Sequence, residues 1–207
     1  MKQLIFILST LHMLHSSFTL AFAATTIGLK LPATGQTTSY ATGDDGDLQA
    51  GIPWPEPRFT DNANGTVTDN LTGLIWLQDA NCAATFGGVT KTTTLTWADA
   101  LTWSNSLKGD ATGTLCGLKD GSTAGQWRLP NIIELESLVN GQAFPVATWL
   151  NSQGFSGVRD SDGGAYWSSS TYAYDTGSAG GVGMISGRVG HDPKNFTYYV
   201  WPVRGGQ

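Results

Sequence analysis

Short alternating runs of apolar and polar residues dominate this chain, and the 3.6-residue spacing of a helix surfaces in only a few places. From Arg58 the pattern is a tight meander: Phe59-Thr60-Asp61, an Asn64-Gly65 turn, Thr66–Asp69, a second turn at Asn70–Gly73, then the apolar strand Leu74-Ile75-Trp76-Leu77. Asn-Gly favours the left-handed backbone that hairpin turns need. Asp61, Asn62, Asn64 and Asp69 loosely follow calcium-loop spacing, and equally suit side chains bonded to their own turns. A helix is predicted from Thr96 to Leu107, with Thr96 as N-cap and Asp99 in the first turn. Gln126–Leu129 reads as a short strand with Trp127 and Leu129 on one face and Arg128 on the other. Pro130 ends its pairing, and Asn131 with Glu134 forms the capping box of a second helix, whose apolar stripe is Ile132, Leu135, Leu138 and Val139. A helical turn is expected at Val146–Leu150. Further strands are expected from Ala165 to Ser170, around Val182–Ile185, and from Tyr198 to Arg204, where Pro202 implies an edge or a bulge. Arg159–Gly164 and His191–Thr197 read as turns.

The ends of the chain change this picture. Lys2, the apolar stretches Leu4–Leu8 and Leu11–Leu14, and Ala21-Phe22-Ala23 form a secretory signal peptide over residues 1–23, with cleavage between Ala23 and Ala24. His12, His15, Ser16 and Ser17 interrupt the run before the roughly 18 apolar residues that a membrane span needs. Residues 24–57 read as an N-terminal arm, partly flexible, because Thr, Gly and Ser bury little surface. In it, Trp54 among Pro53, Pro55 and Pro57 is either a plug pinning the arm to the core or an exposed platform. Residues 58–207 form the domain proper.

Charged residues make up only 13% of the chain, and the net charge is −5. Such an acidic balance argues against nucleic acid and sulfated polyanions as partners. Cys82 and Cys116 are expected to be bridged in an oxidising compartment. The loop so closed, about 35 residues, corresponds to about 3–4 kcal/mol on the chain-entropy account. Asp44, Asp45 and Asp47 are the densest acid cluster. They are weak calcium candidates, since their spacing departs from a calcium loop and suits a solvated turn; no other cofactor is expected.

Four pieces then occur in order: Thr66–Trp76; Thr96-Trp97-Ala98-Asp99-Ala100-Leu101; Trp127-Arg128-Leu129-Pro130-Asn131 with Glu134-Leu135; and Tyr166-Trp167-Ser168-Ser169 with Val203-Arg204-Gly205-Gly206. Together they resemble the Lcl C-terminal domain family of exported bacterial proteins, over about residues 44–206. The resemblance implies an α+β, C-type-lectin-like fold related to the formylglycine-generating enzymes, with two helices flanking small antiparallel sheets and long loops at one end. It also implies cell-surface adhesion and glycan binding, with no catalytic residue to carry over.

The expectation is therefore an exported, non-catalytic module, periplasmic or at the cell surface, that recognises a glycan or a surface protein. Its ligand-binding candidates are Asp160, Asp162, Tyr172, Tyr174, Asp175 and Asn195: tyrosines to stack on a sugar ring, Asp and Asn to accept its hydroxyls. Against each stands the plainer role of covering the core edge or shaping a turn. A structural or assembly protein of the cell surface is the alternative. An oxidase of the formylglycine-generating type would need a reactive cysteine pair. After leader removal His191 is the sole histidine, too few for a three-His metal site.

Overall fold

A computed structural model describes residues 31–82, 94–160 and 164–205. The 1–23 leader with its Ala23–Ala24 cleavage point, the first residues of the arm and Asp162 lie outside the described residues.

The arm carries a short helix, α1 (Asp45–Leu48), where the sequence reads as an acidic turn. Asp44 caps it, accepting the Asp47 N–H at 2.9 Å. Trp54 acts as the plug: its indole N–H donates to the Ala33 carbonyl at 2.7 Å, and its ring lies 5.6 Å from that of Trp149. Earlier in the arm, the Thr37 and Thr38 N–H groups donate to the Gln142 side chain at 3.0 and 2.8 Å.

The meander follows as β1 (Phe59–Asp61), β2 (Thr66–Asp69) and β3 (Ile75–Leu77). Gly65 sits at φ +82°, and a Cβ there would meet the Gly117 carbonyl oxygen at 2.5 Å, so the turn needs glycine twice over. Next come β4 (Thr94–Thr96) and α2 (Trp97–Ser106), capped by Thr96 as its sequence predicts. Then α3 (Ile132–Glu136), α4 (Val146–Ser152), β5 (Tyr166–Thr171), β6 (Ser178–Gly183), β7 (Arg188–Pro193), β8 (Thr197–Tyr199) and β9 (Val203–Arg204) complete the chain.

Among the described residues the architecture is α+β, with two sheets and four helices, of which α2 and α4 reach seven residues or more. One sheet has the order β1-β2-β3-β9, the other β4-β8-β5-β6-β7. The expectation of two helices against antiparallel sheets is corrected in two respects. The second helix stops at Glu136; beyond it the Ser137 hydroxyl donates to the Glu134 carbonyl at 2.7 Å, and the next turns close by tighter i→i−3 bonds from Leu138 and Val139; α4 realises the helical turn expected at Val146–Leu150, and α1 is additional. And β5 pairs with β8 in parallel. The crossover Lys194–Phe196 passes the end of the β5–β6 hairpin without reversing the chain, so β8 keeps the direction of β7 and hence of β5.

Two strands also differ from their sequence pattern. Gln126–Leu129 contributes one bridge, Arg128 with Val203, held by N–H···O bonds of 3.0 and 2.9 Å. Pro130 has no N–H where the next rung would fall. The expected strand from Tyr198 to Arg204 is split: Pro202 marks the break, and Val200–Pro202 carries the chain from the five-stranded sheet into the four-stranded one. In that crossing, Trp201 is fully buried, 5.5 Å from Trp76, 5.0 Å from Phe155 and 5.4 Å from Tyr166, and its N–H donates to the Leu77 carbonyl at 2.7 Å. Trp76, Trp127, Trp167 and Trp201 are all without solvent exposure and form the heart of the core. The bridge Cys82–Cys116 is formed, with Cα atoms 5.5 Å apart.

Candidate functional site

The β5–β6–β7 meander builds a surface on each of its faces. Register puts Gly180 opposite His191 and Val182 opposite Val189, so these four share one face. Gly181 with Gly190, Gly183 with Arg188 and Ala179 with Asp192 share the other. On the first face α3 packs closely: a Cβ on Gly180 would lie 3.3 Å from Ile132 Cδ1. Glycine lets helix and sheet approach and leaves a shallow apolar depression of about 260 Å³ between Ile132, Thr171, Tyr172, Val189 and His191.

An aromatic ladder rises at the rim of this depression. Tyr172 follows β5, and its N–H donates to the Ser178 carbonyl at 3.0 Å, which fixes its backbone against the start of β6. Its ring stacks on His191 with centroids 3.8 Å apart and planes 16° from parallel. Tyr174 stands 6.1 Å from Tyr172 at 52° and is 91% exposed, against 37% for Tyr172. Asp175 closes the turn below them, accepting the Gly177 N–H at 3.0 Å and the Ser178 hydroxyl at 2.8 Å. The Ser178 hydroxyl, then the Gly177 N–H, outweigh burial and hold its carboxyl below the ordinary aspartate value, aided by the charges of His191 and Lys194. Lys194 stitches the crossover to this end of the sheet: Nζ donates to Thr171 Oγ1 at 2.9 Å and the Thr176 carbonyl at 3.0 Å, and lies 4.0 Å from the Trp97 ring centroid. Asn195, exposed, is the next residue in the crossover.

Tyr172, Tyr174, Asp175 and Asn195 thus belong to one end of the sheet. Asp160 belongs to the other. It follows Arg159, whose N–H donates to the Tyr166 hydroxyl at 2.9 Å; Tyr166 opens β5, and Tyr172 lies just past its far end, roughly 20 Å along the extended chain. Asp162 is outside the described residues. In the arm, Asp44 accepts from Tyr40, Ala41 and Asp47, Asp47 accepts the Gly43 N–H at 2.8 Å, and Asp45 accepts the Thr34 hydroxyl. The Tyr40 N–H above all, against the opposing effect of burial, keeps the Asp44 carboxyl below its ordinary value. These carboxylates serve loop and helix capping, and no three His, Cys, Asp or Glu side chains converge as a metal set among the described residues.

The opposite face was not foreseen from the sequence. It carries a groove of about 700 Å³ floored by Gly181, Gly183 and Gly190 and walled by Tyr198, Asp192 and Arg188. Burial first, then the charge of Asp192 and a hydrogen bond to it, raise the Tyr198 hydroxyl above its ordinary value. His191 likewise belongs to a strand where the composition His-Asp-Pro-Lys-Asn predicts a turn; strand alternation puts it on the same face as Val189.

The bridged pair Cys82–Cys116 indicates an oxidising, extracytoplasmic setting. No described helix is long and apolar enough to cross a membrane. Compared with known protein families, residues 65–204 match the Lcl C-terminal domain. No curated protein matches the chain.

Proposed function

The chain belongs to the Lcl C-terminal domain family, and from that premise we propose that it is a non-catalytic recognition module of the extracytoplasmic space, built on a C-type-lectin-like frame, that takes glycans on its aromatic ladder. The observation that carries this reading is the exposure of Tyr174. A ring 91% open to solvent covers no core, so the plain structural role fails for it. Beside it, Tyr172 is held in place by His191 and presents a rigid, amphipathic surface of the kind that binds at low entropic cost. The apolar depression suits the hydrophobic face of a sugar ring, and Asn195, exposed in the crossover beside Lys194, offers a polar group for its hydroxyls. The net charge of −5 favours neutral over sulfated glycans. The oxidase alternative is left without thiols, since both sulfurs are bound in the bridge.

The test is a glycan array followed by calorimetry on the best ligand. Tyr174→Ala is expected to weaken binding about three- to tenfold with no change in melting temperature, and the pair Tyr172→Ala/Tyr174→Ala to abolish it. Undiminished binding by the double variant sinks the assignment.

A further inference from the structure

We infer that β7 is a self-association edge, on which a second copy of this chain adds its own β7 antiparallel, with the two-fold axis at Gly190. β7 is the last strand of its sheet, and β6 is its one strand partner among the described residues. The Lys194 N–H bonds to the Gly177 carbonyl at 2.9 Å, one step beyond the pair Ser178–Pro193. Antiparallel ladders alternate bonded and non-bonded pairs. Residues 188, 190 and 192 therefore bond to β6, and the N–H and C=O groups of Val189 and His191 point to the open side.

Those groups suit a two-fold pairing about Gly190. In that register Val189 faces His191 of the second copy in a bonded pair, and the symmetric pair repeats it, so four main-chain hydrogen bonds form. Arg188 and Asp192 are equidistant from Gly190, share one face and carry opposite charge. The same register sets Arg188 against Asp192 of the second copy, twice. Neither backbone conformation nor crowding within the single chain requires glycine at 190: its φ is not positive, and a Cβ there would meet nothing within 4 Å. Gly190 shares its face with Arg188 and Asp192, so at the axis it sets no side chain between the two ion pairs that flank it. Pro193, lacking an N–H, limits the ladder to this short stretch. So short an edge makes a weak, concentration-dependent dimer. Its groove floors, Gly181, Gly183 and Gly190 on each copy, join across the axis into one trough.

Sedimentation equilibrium on the purified chain, over a concentration series reaching millimolar, tests this. The weight-average mass is expected to rise towards twice that of the chain, less so at high salt. Arg188→Asp and Asp192→Arg each oppose like charges and are expected to remain monomeric, with circular dichroism unchanged. Mixed one to one, the two variants regain both opposite-charge pairs and are expected to associate. A native chain that stays monomeric throughout overturns the proposal, as does a dimer indifferent to both charge variants, or variants whose mixture fails to associate. None of these readouts depends on glycan binding.

Discussion

Arg58 and Asp69 are almost wholly out of solvent, at 4% and 0% exposure, and meet through hydrogen bonds of 2.9 and 3.0 Å. The Asp69 carboxylate also accepts the Leu71 N–H at 2.9 Å and the Thr72 hydroxyl at 2.7 Å, so one side chain holds both a turn and a cation. Arg58 donates to the Ser137 carbonyl at 3.0 Å, and its guanidinium lies 4.5 Å from the Trp54 centroid and 4.8 Å from that of Phe59. Arg58→Met strands the Asp69 charge and is expected to cost about 3–5 kcal/mol. A thermal melt should then fall by roughly 6–20 °C; a fall within a degree or two would mean that water or another donor already serves Asp69. Half of this arrangement was legible. The turn role of Asp69 is local, an Asx side chain two residues from the N–H it binds. The ion pair spans the β1–β2 hairpin, and an arginine after proline carries no sign that it will be buried.

At the scale of elements, α3 shows how much a five-residue helix depends on its first turn. Asn131 accepts the Glu134 N–H at 2.9 Å, and the Asn131 N–H donates to Glu134 at 2.7 Å. Arg128 adds two bonds to the same carboxylate, at 2.7 and 2.6 Å. Burial pushes the Glu134 carboxyl up, but the Arg128 hydrogen bonds, the Asn131 N–H and the Arg128 charge together leave it below the ordinary glutamate value. Its folded-state value is therefore depressed. The stabilisation is present above the ordinary glutamate value and is lost as pH falls below it through the lowered one. Urea midpoints measured across that range should fall more steeply in the native chain than in Glu134→Gln, which keeps the capping box and loses the charge; parallel curves would deny the pair its role. The capping box was readable because its spacing is local. β7 was not: Arg188–Pro193 has turn-forming composition and glycine at its centre, and the pairing with β6 overrides both.

For the molecule as a whole, the bridge Cys82–Cys116 spans 34 positions and encloses α2. Replacing both cysteines with serine is expected to cost about 3–4 kcal/mol, read as a lower urea midpoint, and thiol titration of the native chain should find no free sulfur. An unchanged midpoint would mean that residual structure already confines this loop in the denatured chain. The α+β class and the family were legible at this scale because ordered motifs survive in linear sequence. Sheet order was not, because Ile75 finds Arg204 only through contacts that no local pattern encodes. The ladder was legible in its tyrosines, which are exposed aromatics in a loop, and hidden in His191, which enters it from a strand.

One consequence follows from the passage of Val200–Pro202 between the sheets. Because Trp201 is wedged against side chains from both, it acts as a common rivet, and tension on either sheet is carried by the same indole. Under mechanical load the two halves are expected to give way in a single rupture, with no intermediate extension in which one sheet outlasts the other.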